Sequence, residues 1–102
     1  MDVVLTSEAQ LELDHAAAWY DERHEGLGDE FVDEVQDALA TILETPETWS
    51  RWPGAPARIP AVRRFVLPRF PYSIAYQVHI GRVVVLAVVH ARKRPLYWIA
   101  RL

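Results

Sequence analysis

The chain of 102 residues contains no cysteine, which excludes disulfide bonds, thiolate zinc sites and thiol nucleophiles. Long apolar runs are also missing: the longest, Val83 to Val89, is far shorter than the roughly 20 residues that span a bilayer. The N-terminus lacks the basic and then apolar pattern of a secretory signal. We therefore expect one domain, residues 1–102, in the cytoplasm and without membrane association.

Acidic residues are absent after Glu47, and basic residues are nearly absent before it. Residues 1–47 hold all 14 Asp and Glu and a single Arg, a net charge of −13, while residues 48–102 hold the other 10 basic residues and no acid. The overall charge of −3 hides this division. An uncompensated basic half indicates a phosphate-bearing target or an acidic protein partner. The acidic half is expected to form solvated helix faces.

The first half of the chain is predicted to form a short strand and two helices. One helix is expected from Glu8 to about His24, after Ser7 and Gln10 in capping-box spacing. A second should run from Gly28 to about Thr45 and stop before Pro46. The short loop between them predicts an antiparallel hairpin. Apolar residues recur at helical spacing in both segments: Leu13, Ala16, Ala17 and Tyr20 in the first, and Phe31, Val35, Leu39 and Ile42 in the second.

The second half is predicted to form β-strands. Residues 58–67 form a strand candidate that Pro60 confines to an edge or a late start. Residues 72–80 and 83–91 form a hairpin around Gly81 and Arg82, as in a type II′ turn. That register sets Ser73 against His90. It places Tyr72, Ile74, Tyr76, Val78, Ile80, Val83, Val85, Ala87 and Val89 under the helices, and Ser73, Ala75, Gln77, His79, Val84, Leu86, Val88, His90 and Arg92 on the other face.

Two segments carry a family resemblance: RFPYSIAYQV at residues 69–78 and VLAVVHARKRPLYW at residues 85–98. With the element order they resemble the RelE/ParE superfamily, the toxins of type II toxin-antitoxin systems. The resemblance implies an α+β fold of order β-α-α-β-β-β, with a small antiparallel sheet, the helical hairpin packed on one face and a short C-terminal helical turn. It also implies a growth inhibitor neutralised by a cognate antitoxin, whose acidic or partly disordered segment orders on the toxin.

Two activities occur in this superfamily, and the resemblance leaves the enzyme question open. RelE-like members are ribosome-dependent mRNA endonucleases that use attack by the ribose 2′-hydroxyl and need no metal. His90, Arg92 and Tyr97 would then be the catalytic residues, with His90 as acid or base. Ser73 stands where such nucleases carry an arginine, which weakens that interpretation. ParE-like members bind and poison DNA gyrase, and the His-Ala-Arg tail favours this interpretation. A non-toxic domain that binds nucleic acid or protein is a third alternative.

The residues expected to contact a target or antitoxin follow from the basic half and its aromatic tail. They are Arg63, Arg64, Arg69, Ser73, Gln77, Arg92, Lys93, Arg94 and Trp98. Trp19 and Tyr20 are adjacent on a helix that cannot bury both equally, so one should help to form the antitoxin groove. Glu8, Glu12 and His15 share a helix face, but such rows are usually solvated. We predict no metal and no other cofactor.

Overall fold

The computed structural model describes all 102 residues, in two helices, a four-stranded sheet and a C-terminal 3-10 helix. The elements in chain order are β1 (Asp2–Leu5), α1 (Ser7–Arg23), α2 (Leu27–Glu44), β2 (Arg63–Val66), β3 (Tyr72–His79), β4 (Arg82–His90) and the 3-10 helix (Tyr97–Arg101). This order confirms the predicted α+β class with its helical hairpin and closing helical turn.

The two helices lie within a few residues of their predicted bounds, but the first cap is different. Thr6, not Ser7, is the N-cap of α1, and its side chain accepts a hydrogen bond from the Ala9 amide. Ser7 is instead the first helical residue. Gly28 lets α1 and α2 approach closely, because a Cβ there would lie 2.3 Å from the Ala17 carbonyl oxygen.

The sheet has the order β1-β4-β3-β2 and is mixed rather than wholly antiparallel. β1 pairs with β4 in parallel, whereas the β2-β3 and β3-β4 pairs are antiparallel. The helical hairpin between β1 and the later strands supplies the crossover that a parallel pair requires. β2 is shorter than predicted because Pro60 lies before it and the Val62 carbonyl accepts from the Trp52 amide of the preceding loop.

The predicted register of the β3-β4 hairpin is wrong. The turn residues are Ile80 and Gly81, with His79 opposite Arg82, and Gly81 takes the positive φ of 75°. A bulge then leaves Leu86 without a partner between the pairs Tyr76–Val85 and Ala75–Ala87.

Beyond the bulge, each β4 side chain points to the face of the sheet opposite to the one predicted. Val83, Val85 and Val88 pack in the core beneath the helices, whereas Ala87 and Val89 pack on the opposite side. Tyr72, not Ser73, is therefore the partner of His90. The predicted meeting of Ser73 with His90 does not occur, because alternation places them on opposite faces.

The sheet separates two apolar clusters. The larger lies under α1 and α2 and is centred on Phe31, Val35, Ile42, Ile74 and Tyr76. The second lies on the other face, where Trp98 is fully buried against Ala75, Leu86, Ala87, Val89 and Val62. The 3-10 helix and the loop bearing Trp52 therefore cover the sheet face on which Ser73, Gln77 and His90 were predicted to lie together.

Candidate partner-binding site

A pocket of about 600 Å³ lies between α1, the adjoining ends of β3 and β4, and the C-terminal segment. Its walls are mostly aromatic or apolar, and its polar groups come from two histidines, Glu12 and Lys93. This volume is in the range of pockets that take a small molecule or a few side chains. The principal lining residues are Glu12, His15, Trp19, Tyr72, His90, Lys93 and Tyr97.

At one end of this pocket, Glu12 forms hydrogen bonds to two other segments of the chain. Its carboxylate accepts hydrogen bonds from the Val88 amide at 3.0 Å, from the Tyr97 hydroxyl, and from Arg101 Nη1 and Nη2 at 2.8 and 3.1 Å. The Glu12 and Arg101 side chains are only 20% and 19% exposed. One carboxylate thus joins α1, β4 and the 3-10 helix.

Tyr97 is held as a hydrogen-bond donor in this cluster. Burial, followed by the hydrogen bond to Glu12 and the charge of that carboxylate, raises the pKa of Tyr97 above its usual value of 10.0. Its hydroxyl therefore stays protonated at neutral pH and points to Glu12. The catalytic role of Tyr97 stays a prediction, and the observed contact gives its hydroxyl a structural partner in Glu12.

His90 is at the end of β4 and lines the same pocket. Its Nδ1 accepts from the Arg92 amide at 3.0 Å, so in the neutral ring Nε2 carries the proton. The ring meets Tyr72 edge to face, with centroids 5.0 Å apart. The structure therefore brings His90 together with Tyr97 and Lys93, although not with Ser73.

The basic run after β4 is exposed. Arg92, Lys93 and Arg94 have no carboxylate within 4.0 Å. The Lys93 ammonium lies 5.3 Å from the centre of the Tyr97 ring, at the rim of the pocket. Of the three, only Lys93 lines the pocket.

The other predicted arginines are engaged within the chain. Arg63 donates to the Trp49 carbonyl at 2.7 Å, and Arg64 lies 5.5 Å from the centre of the Trp52 ring. Arg69 forms an ion pair with Glu34 at 3.0 Å. These contacts leave parts of each side chain exposed, but they do not bring the three residues to the pocket.

Three further candidates lie on the face away from the helices. Ser73 is half-buried on β3, between Val66 and Val89. Gln77 donates to the Pro60 carbonyl at 2.9 Å, which holds the preceding loop against β3. Trp98 has no exposed surface, because its indole fills the second core. Its assignment as a contact residue stays a prediction that would require this core to open.

Trp19 and Tyr20 divide their roles as expected. Trp19 is 50% exposed at the pocket and lies beneath the Arg23 guanidinium, 3.6 Å from the ring centre. Tyr20 packs against Phe31 and Phe70 with centroid distances of 5.4 and 5.0 Å. Trp19 therefore supplies the accessible aromatic surface.

The sequence interpretation missed Glu12 and Arg101. Glu12 was placed in a solvated row, but the turn of the C-terminal segment brings Arg101 to it. The only signals were an acid directly before Leu13, the first residue of the predicted apolar stripe of α1, and one basic residue after Trp98. No group of three or more His, Cys, Asp or Glu side chains is arranged to hold a metal ion, and no helix is long and apolar enough to cross a membrane.

The helical hairpin on a small sheet, closed by a basic and aromatic tail, is the architecture of the RelE/ParE superfamily of toxins. A solved structure titled "Chromosomal ParDE TA system from P. aeruginosa" matches with a TM-score of 0.61 over 90% of this chain and 97% of that chain, at 22% sequence identity. At that identity the match shows the fold. No curated protein sequence matches the chain.

The family described as "ParE toxin of type II toxin-antitoxin system, parDE" matches residues 3–95. The chain belongs to this family of ParE toxins. Membership implies an antitoxin as partner and confirms the resemblance seen in the two sequence segments.

Proposed function

We propose that the chain inhibits growth in the cytoplasm by binding DNA gyrase, and that a cognate antitoxin with an acidic, partly disordered segment prevents this. The observation that carries the proposal is the ParE family match over residues 3–95. The charge distribution supports it, because the exposed run Arg92 to Arg94 has no internal carboxylate partner. Such a surface suits an acidic partner.

A binding role without catalysis fits the Glu12 and Tyr97 groups of the pocket, because they are already hydrogen-bonded within the chain. The Tyr97 hydroxyl is committed to Glu12, and both Glu12 oxygens already accept hydrogen bonds. Neither group is free to exchange a proton with a substrate unless the cluster opens. Ser73 and His90 also lie on opposite faces of the sheet.

The predicted contact residues enter this proposal in two groups. Arg92, Lys93 and Arg94 are the exposed contacts for the target or antitoxin. Arg63, Arg64, Arg69, Ser73 and Gln77 lie elsewhere, on β2, on β3 and in the loop between these two strands. An antitoxin that wraps the chain would meet the exposed members of this group. The two groups are tested separately by alanine substitution.

The proposal is tested by inducing the chain without a neighbour-encoded antitoxin, following growth and mapping RNA 5′ ends in the same culture. We expect growth arrest with intact messages and with loss of plasmid supercoiling. New RNA ends at fixed codon positions would establish the RelE-like nuclease instead. Neither arrest nor new ends would favour a non-toxic binding domain.

A further inference from the structure

The edge of β4 loses its strand partner halfway along. β1 pairs with β4 only as far as Leu5, and the Thr6 amide donates to the Val85 carbonyl at 3.0 Å where α1 begins. The next two backbone groups that point out of this edge are the Leu86 carbonyl and the Val88 amide. Backbone groups left unpaired at the edge of a sheet are a template for pairing with another strand.

Two charged side chains take the place of the missing strand. The Glu12 carboxylate accepts from the Val88 amide at 3.0 Å, and Arg101 Nη1 donates to the Leu86 carbonyl at 3.1 Å. Glu12 and Arg101 also pair with each other at 2.8 Å, and Tyr97 donates to the same carboxylate. The carboxylate supplies the acceptor, and the guanidinium the donor, that a neighbouring backbone would supply. This pair, the edge cap, includes a residue beyond the family match, which ends at residue 95.

The strand behind the edge cap has the composition of a self-associating segment. Val83 to Val89 is a run of seven apolar residues, five of them valine, without charge, proline or glycine. All of them except Val84 are buried. Short segments of this kind, with strong β-propensity and no charge, pair with copies of themselves when an edge is free. Because the side chains are buried, the backbone edge is the part of β4 that a second strand can reach.

The two groups under the edge cap are also complementary to themselves. In an antiparallel ladder, a non-hydrogen-bonded pair is flanked by bonds from the amide after one residue to the carbonyl before its partner. With Ala87 as the central residue, these groups are the Val88 amide and the Leu86 carbonyl. Two copies related by a two-fold axis at Ala87 can therefore exchange both bonds. The small alanine side chains allow the close Cα approach of such a pair.

We propose that the edge cap of Glu12 and Arg101 keeps a second copy of this chain from pairing with β4 through the Leu86 carbonyl and the Val88 amide. The edge cap acts by occupancy, because its side chains satisfy both backbone groups and lie where the second strand would lie. The buried Trp98 anchors the C-terminal segment that carries Arg101. The inference goes beyond the proposed function and does not depend on the target.

The test compares the association of the purified wild-type chain with that of three variants, by sedimentation velocity over a range of concentrations. The double variant Glu12→Ala, Arg101→Ala uncovers both backbone groups and leaves neither charge without its partner. Arg101→Ala uncovers the Leu86 carbonyl alone. Glu34→Ala is the control, because it breaks a carboxylate cluster between α2 and the loop before β3 and leaves the edge cap in place. Circular dichroism and urea denaturation establish the fold and the stability of each variant.

Hydrogen exchange at the Val88 amide locates the contact between the chains. In the wild type the Glu12 carboxylate protects this amide at every concentration. In the double variant the amide should exchange faster when the chain is dilute. It should become protected again as the concentration rises and the chains associate, because the Leu86 carbonyl of the second copy then accepts from it.

We expect the double variant to dimerise about tenfold or more as strongly as the wild type and Glu34→Ala, with Arg101→Ala between them. A folded double variant that associates no more than the wild type would overturn the inference, and if the double variant does not fold, Arg101→Ala decides by the same criterion. Equal association of Glu34→Ala would attribute the effect to lost stability and overturn it.

Two further outcomes would also overturn the inference. Association that leaves the Val88 amide unprotected would place the contact elsewhere on the chain. A double variant that stays monomeric but binds the neighbour-encoded antitoxin more tightly than the wild type does would assign the covered edge to the antitoxin instead.

Discussion

Replacing Glu12 with alanine should destabilise the chain far more than any neighbouring acid on α1. The substitution leaves the Arg101 guanidinium, the Tyr97 hydroxyl and the Val88 amide without their shared acceptor. Removing one partner of a buried ion pair costs about 3–5 kcal/mol. The pair here is about one fifth exposed, so screening reduces the expected loss to about 2–4 kcal/mol.

Urea denaturation followed by circular dichroism measures this loss. Asp14→Ala is the control, because Asp14 is exposed on the same helix and bonds only Gln10; its effect should stay within about 0.5 kcal/mol. The Glu12→Ala, Arg101→Ala double mutant should be less destabilised than the sum of the single variants. A Glu12→Ala variant within about 1 kcal/mol of wild type would refute the role given to this cluster.

Three other substitutions, with Gly26→Ala as the control for the first, test the packing and the polar contacts of the fold. Gly28→Ala should lower the unfolding free energy by about 1–3 kcal/mol, since its Cβ would overlap the backbone of α1. The Cβ of Gly26→Ala meets open space, so this variant should lose only the roughly 1–2 kcal/mol that a left-handed backbone costs a residue other than glycine. Burial raises the pKa of Tyr76 from 10.0 to about 12, so the contribution of Tyr76 to the unfolding free energy should be constant below pH 10 and fall by about 1–3 kcal/mol as pH rises towards 12. Tyr76→Phe should remove this part of the fall and leave the part due to Tyr97, whose pKa is also raised; a pH profile identical to that of the wild type would contradict the prediction. Glu34→Ala should cost about 1–3 kcal/mol in urea, because Glu34 accepts from two backbone amides and from Arg69; a loss below about 0.5 kcal/mol would show that these bonds contribute nothing net.

The helical half of the fold was predictable because its signals are local. The apolar spacing of Phe31 and Val35 indicates which face of α2 is buried, and Pro46 limits the helix. The strands were also located by alternation and by Gly81. These patterns depend on residues a few positions apart, which a single sequence displays directly.

The register and the site were not predictable in the same way. The bulge at Leu86 is stabilised by contacts distant in sequence, since its carbonyl accepts from Thr6 and from Arg101. A shift of one residue exchanges the two faces of a strand, so His90 lies in the helix-side pocket and Trp98 covers the opposite face. The role of Glu12 is likewise a long-range contact, formed with a residue 89 positions away.

The account's central claim is that the chain acts by binding gyrase, and the most direct measurement is plasmid supercoiling by purified gyrase at increasing concentrations of the purified wild-type chain. We predict a concentration-dependent loss of supercoiling that added cognate antitoxin reverses. Full supercoiling in the presence of a large molar excess of folded chain would contradict the claim.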